Sequence, residues 1–321
     1  MNNSCKSNIS AFTACFNSAP FILTEGAIVE RLKKEYGIRL DENIVHGGLI
    51  YNDKEADILK RIYKQYIDIA VKYHLPMMIM SPTRRANKER ISRSIYCDKD
   101  IIGDNVKFLS EIRNSYKLYK DKIYIGGLMG CRGDAYNHEE ALSTEEGCEF
   151  HLWQAEQFKK AGVDYLFAGI MPALSEAIGM AKAMEITELP YIISFMIRNN
   201  GRLLDGTTIN DAIKAIDEAT YTNPLCYMVN CIHPSILNKA LSSLPNQTEL
   251  VGKRFAGIQA NASPLSPEEL DNCCELKSDG PIQLVNAMEE LRIHKQIKIF
   301  GGCCGTDNRH IEELAKRTIS W

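Results

Sequence analysis

The chain has 321 residues, 45% hydrophobic and 25% charged, with 38 Lys and Arg against 41 Asp and Glu for a net charge of −3. That balance describes an ordinary globular protein; it holds no basic block of the kind a dedicated nucleic-acid binder uses, and no apolar run nears the ~18 residues of a membrane span. Residues 1–20 are polar without a secretory pattern and are assigned as a leader to a single domain, 21–321, and eleven cysteines in such a chain predict free thiols or metal ligands in the cytoplasm rather than a disulfide framework.

The first predicted strand is Phe21-Ile22-Leu23, ending at Thr24-Glu25-Gly26, with a helical spacing from Ile28 to Tyr36. An amphipathic helix from Lys54 to His74 carries Ile58, Ile62, Tyr66, Ile69 and Ala70 on one face, and Met77–Met80 follows as the second strand, ending at Ser81. The unit then recurs. Helices are predicted over Asp104–Tyr119, Thr144–Ala161, Leu174–Glu185, Ile209–Ala219, Ser235–Leu244 and Gly280–Ile293. They alternate with strands at Ile123–Ile125, Val163–Phe167, Tyr191–Phe195, Leu225–Val229, Phe255–Gln259 and Ile297–Phe300. Eight strands alternating with helices predict a single (β/α)8 TIM barrel, and no glycine-rich phosphate fingerprint follows the first strand to favour an open doubly wound sheet.

In such a barrel, catalytic groups come from the C-terminal ends of the strands. The predicted ends carry Glu25, Ser81, Gly126, Ala168, Phe195, Asn230-Cys231, Asn261 and Cys303-Cys304. Strands six and eight lie two apart in a closed barrel, so Cys231, Cys303 and Cys304 can face a common point. Three thiolates would leave one open position on a tetrahedral Zn²⁺, the pattern of a catalytic site, and sulfur favours zinc over magnesium or calcium. Small residues buried at a crowded strand end would produce the same pattern. Cys273-Cys274, in a polar stretch without glycine, serves as the comparison and is assigned no metal role; His233 and His310 are assigned capping or supporting roles.

With these residues in view, the sequence resembles the zinc-dependent homocysteine S-methyltransferase family from about Phe21 to Lys316. Gly301-Gly302-Cys303-Cys304-Gly305-Thr306, followed by His310-Ile311, looks like that family's zinc signature. Val229-Asn230-Cys231 looks like the segment supplying its first thiolate, and Gln259-Ala260-Asn261-Ala262 like its turn after strand seven. Further similarity lies in Arg132 to Tyr136, Ala161 to Asp164 and Leu203 to Gly206. The resemblance implies a zinc centre on Cys231, Cys303 and Cys304, with Asn230 as a substrate contact. Glu25, which stands where the family has aspartate and is one methylene longer, either faces the substrate amine or serves as a charge at the start of a helix. It implies transfer of a methyl group from a small donor, S-methylmethionine or S-adenosylmethionine, to the thiolate of homocysteine, giving methionine.

A thiol attacks only when deprotonated, and its free pKa is about 8.5, so an ion that stabilises the thiolate suits the reaction. One departure concerns the acceptor. The family's strand-four segment ends in a glutamate-threonine pair whose glutamate holds the amino group of homocysteine; the corresponding stretch here is Phe167-Ala168-Gly169-Ile170, with Ala168 in the glutamate's place. A different thiol acceptor and a separate corrinoid protein as donor are therefore the alternatives within this chemistry. A non-catalytic metal- or redox-sensing barrel that switches through Cys303-Cys304 is the alternative outside it.

Overall fold

The computed structural model describes residues 10–264, 279–295 and 297–318. Its centre is a closed barrel of eight parallel strands in sequential order. These are β1 (Ile22–Thr24), β2 (Met77–Met80), β3 (Ile123–Gly130), β4 (Tyr165–Met171), β5 (Tyr191–Phe195), β6 (Cys226–Ile232), β7 (Phe255–Ala260) and β8 (Ile299–Gly302). The barrel closes where Ile22 pairs with Ile299 and Leu23 with Phe300. The fold class expected from the alternating pattern is the one observed.

Alternation along the strands divides their side chains into two layers. Ile22, Met78, Tyr165, Phe167, Ile192, Met228 and Ile299 pack together inside the barrel. Leu23, Met77, Ile79, Leu166, Ala168, Ile193, Val229 and Phe300 pack outward with the helical layer. Because both faces are covered, the strands are almost continuously apolar, as parallel sheets require.

The helical layer is started by local sequence. In α3 (Asp53–Lys72), Asn52 caps the first turn by accepting from the N–H groups of Lys54 and Glu55. In α6 (Thr144–Ala161), Ser143 and Glu146 form a reciprocal capping box, and Gly162 ends the helix in the left-handed region at φ 80°. Helices α2 (Val29–Lys34), α5 (Ile101–Asn114), α7 (Leu174–Glu185), α8 (Ile209–Ala219), α9 (Pro234–Leu241) and α11 (Pro281–Lys295) complete the expected set, and α12 (Asn308–Arg317) follows β8.

Among the described residues, three short α-helices were not expected: α1 (Ala11–Ser18), α4 (Lys88–Arg93) and α10 (Glu249–Arg254). The first falls within the span read as a leader. Its Phe12 is 1% exposed and inserts into the barrel interior, stacked on Tyr165 at 4.3 Å and tilted against Tyr124 at 5.3 Å. Cys15, Phe16 and Ala19 pack against the same layer, and Lys298 lies over the Phe16 ring at 3.7 Å, so this segment has a fixed seat. The Cys273-Cys274 pair lies outside the described residues.

Strand β3 corrects an expected boundary. It runs to Gly130, so Gly126 and Gly127 lie inside it rather than at its end. The reason is volume: a Cβ on Gly126 would strike the ring of Tyr165, and one on Gly127 the ring of Phe158. Gly126→Ala is expected to cost about 1–3 kcal/mol through overpacking. A lowered denaturant midpoint checks this, and an unchanged one would show slack between β3 and β4.

Candidate active site

Cys231 is the penultimate residue of β6 and takes φ 53°, a left-handed conformation unusual for a residue with a side chain. A register irregularity between Asn230 and Ile232 accompanies it. Two bonds from β7's end hold this turn: Asn261 N–H donates to Ile232 O at 3.0 Å, and its side-chain amide donates to Cys231 O at 3.0 Å. Together they turn Cys231 into the mouth of the barrel.

Cys303 and Cys304 leave β8 through the glycine pair. A Cβ on Gly301 would collide with Thr24, and one on Gly302 with Thr306, so only glycine lets β8 lie this close to its neighbours. The turn is then tied down from several sides. Cys303 N–H donates to Ala260 O at 2.7 Å, Ala262 N–H to Cys304 O at 3.0 Å, and Thr306 Oγ1 to Cys303 O at 2.7 Å. Gly305, at φ 78°, donates to Glu30 at the start of α2.

The three sulfurs lie within 4.8 Å of one another. Cys231 and Cys303 are paired sulfur to sulfur with Cα atoms 5.5 Å apart, and Cys304 is free. The redox alternative on Cys303-Cys304 does not match this pairing. Convergence of a third thiol is also more than a disulfide needs, whereas a tetrahedral zinc with Zn–S of about 2.3 Å calls for sulfurs roughly 3.8 Å apart. Although Cys304 is exposed at the cavity mouth, desolvation of its sulfur by the surrounding walls pushes the thiol above its ordinary pKa, with Glu30 adding to the effect and Arg84 opposing it. Such a thiol ionises readily only beside a cation. The three-sulfur donor set and its convergence within 4.8 Å fit a soft divalent metal once the Cys231–Cys303 pair is reduced and its sulfurs separate.

A cavity of about 460 Å³ opens over these sulfurs and is lined by Glu25, Asn230, Cys231, Cys303 and Cys304, so all five residues singled out from the sequence converge on it. Glu25 is 6% exposed; its Oε1 accepts from Met80 N–H at 3.1 Å, while its Oε2 has no hydrogen-bond partner. Burial without a counter-charge raises its pKa to about 8. Asn230 belongs to a relay across the barrel. Its Oδ1 accepts from Ile170 N–H at 3.1 Å, its amide donates to Gln259, and Gln259 donates to Thr24 at 3.0 Å.

The position opposite, on β4, also needs correction. Ala168 packs outward with the helical layer, and the β4 residues lining the cavity are Gly169 and Ile170. Ala168 faces outward by alternation with Tyr165 and Phe167, and a register shift between Ala168 and Met171, where Ile170 takes φ 58°, turns both Gly169 and Ile170 to the cavity. Strand β4 therefore presents no carboxylate to the cavity. His233 and His310 are helix caps, His233 accepting from Ser235 N–H at 3.2 Å and His310 forming a capping box with Asp307.

Sequence reasoning missed Arg84 and Arg85, which follow β2 and line the same cavity with Tyr63 and Met80. Two adjacent arginines just beyond a barrel strand were a visible signal, but their convergence with β6 and β8 was not.

Fold and site together define a barrel enzyme with a cysteine-built centre at the end where barrel enzymes do their chemistry. A family model described as homocysteine S-methyltransferase matches residues 22–318, and the chain belongs to that family and is a methyltransferase. It is 23% identical over 314 residues to the homocysteine S-methyltransferase YbgG of Bacillus subtilis strain 168, covering 92% of this chain and 94% of that protein. Among solved structures, the homocysteine methyltransferase MmuM of Escherichia coli in its metallated form superposes with a TM-score of 0.75 at 19% identity, over 96% of this chain and 99% of that one. Its apo form gives 0.69 over the same shares. These superpositions speak to the fold.

Proposed function

We propose that this chain transfers a methyl group from a small sulfonium donor, S-methylmethionine or S-adenosylmethionine, to homocysteine, yielding methionine, with zinc on Cys231, Cys303 and Cys304. The observation that carries the reading is the convergence of three thiols from β6 and β8 beneath one cavity, in a chain of this family. The metallated form of MmuM supports a metal in this fold.

Bound to the three cysteines, zinc would supply a Lewis acid that favours the thiolate form of the acceptor at neutral pH. The chain's own residues do the rest. Glu25 offers an unpartnered buried oxygen to the acceptor's ammonium, which would draw the carboxyl back to its ionised form. The Asn230–Gln259–Thr24 relay keeps the wall beside Cys231 rigid. Tyr63, whose hydroxyl donates to Met80 O at 2.7 Å, closes the cavity below Glu25 with apolar surface. In the transfer, the acceptor S–H gives up its proton, its sulfur forms the new S–CH₃ bond, and the donor sulfonium leaves as a neutral thioether.

The test is stoichiometric. Zinc-loaded protein given homocysteine and S-methylmethionine should form two methionines per methyl transferred; with S-adenosylmethionine it should form one methionine and one S-adenosylhomocysteine. Absence of methionine with both donors would refute the sulfonium reading. Gly169 favours one second reading, a thiol without an α-amino group, which a higher kcat/KM for such a thiol than for homocysteine would establish. Asn261→Ala, which frees the Cys231 carbonyl, is expected to weaken metal retention about 10- to 100-fold in a chelator competition; retention equal to wild type would show that the barrel alone sets this turn.

A further inference from the structure

Arg84 and Arg85 remain unexplained by the metal centre or by the relay. Both line the cavity, and neither guanidinium has a hydrogen bond or ion pair among the described residues. A guanidinium half-withdrawn from water and left unpaired is costly, and two side by side are more so. Burial, then the charge of Arg85, pulls Arg84 below its ordinary pKa.

The loop bearing the pair is nevertheless fixed on both sides. Ser81 and Thr83 bond to each other at 2.7 Å; Leu128 N–H donates to Ser81 Oγ and Thr83 Oγ1 to Leu128 O, each at 3.1 Å. Gln154 from α6 donates to Thr83 O at 3.1 Å, and Asn87 caps α4 by accepting from Arg90 N–H at 2.9 Å. The stem of Arg84 lies against Gly130, where a Cβ would stand 2.8 Å from its Cγ. A positive pair held this firmly, with room made for it by a glycine, is preorganised for an anion.

Resting on the proposed methyl transfer, we infer that Arg84 and Arg85 form a carboxylate-binding subsite that holds the carboxylate end of a substrate while its sulfur lies over the cysteines. Paired guanidinium forks match a carboxylate's two oxygens, a geometry that lysine does not reproduce. Acceptor and donor both bring a carboxylate when they are amino acids. With Glu25 at the ammonium and the arginines at the carboxylate, an α-amino acid is gripped at both ends without any group from β4.

Calorimetry on the zinc-loaded full chain, with methionine, γ-methylthiobutyrate (no amine) and methylthiopropylamine (no carboxylate), tests this directly. Arg84→Gln and Arg85→Gln are each expected to weaken the two carboxylates about 10- to 100-fold and to leave the amine unchanged, with Arg84→Lys falling between. A rise in KM for homocysteine alone assigns the subsite to the acceptor, and a rise for the donor alone assigns it to the donor; either supports it. Three results would overturn it: wild type binding neither carboxylate, variants binding both as wild type does, or equal losses for the amine. Lost zinc with unchanged carboxylate binding would also overturn it, making Arg84 a counter-ion of the thiols. Wild type that binds the carboxylates but methylates no homocysteine would retain the subsite and remove the acceptor reading.

Discussion

Cys304→Ser is expected to lose its metal and at least about 100-fold of its methyl-transfer rate, beyond the 10–100-fold that supporting residues around a metal typically cost. Serine's hydroxyl does not ionise near neutrality and offers a hard oxygen in place of a soft sulfur. Two cysteines would remain, too few to complete a three-thiolate set. Because Cys304 is exposed at the cavity mouth rather than packed in the core, the fold should survive. Thermal melting would confirm that, and metal analysis after dialysis would read the loss. Cys97→Ser removes another exposed free thiol and is the matched control. A Cys304→Ser protein that kept metal and activity would remove this cysteine from the centre.

Glu25→Gln should separate substrate binding from stability. Folding raises this carboxyl's pKa to about 8 from an ordinary 4.5, so the folded chain holds the proton more tightly than the unfolded chain does. The stability it contributes is full below about pH 4.5 and is lost as pH rises through about 8. Glutamine has no proton to lose. The variant should therefore be more stable than wild type by about 2–4 kcal/mol at pH 8–9, with the difference vanishing near pH 4.5. Its KM for homocysteine should rise at least about tenfold, since a neutral amide cannot pair with an ammonium. Equal denaturation midpoints for the two proteins across this range would show that the carboxyl ionises freely; an unchanged KM would place the amine elsewhere.

The sequence carried much of this arrangement, and the reasons differ by residue. The eight strands were legible because parallel strands buried on both faces are short apolar runs between helical repeats. Cys231 and Cys303-Cys304 were legible because strand order alone places β6 and β8 near one another. The end of β3 was not, because Gly126 and Gly127 are spaces for Tyr165 and Phe158, and a glycine that makes room looks the same in sequence as one that ends a strand. Ala168 was misplaced because it alternates outward from Phe167, while the register shift that turns Gly169 and Ile170 to the cavity comes only after it. The paired arginines were overlooked because their meaning depends on what the barrel closure sets opposite them. Helix α1 was hidden because its seat depends on contacts made only in the closed barrel, with Phe16 against Lys298 and, deepest of them, Phe12.

That phenylalanine bears on where protons can travel. Below the reactive sulfurs the barrel is filled by Phe12, Tyr124, Tyr165, Phe167 and Met228. Cys226, in the same layer, has its thiol pushed up to about 12 by burial, and the Tyr165 phenol is driven well above its ordinary range. Neither exchanges a proton near neutrality. Among the described residues these two groups give the layer no proton carrier near neutrality, so on the proposed reaction the proton released by an acceptor thiol is expected to leave by the mouth, past the same charged groups that receive the substrates. Reactant entry and acid release share one gateway, and crowding it with ligand would slow both together.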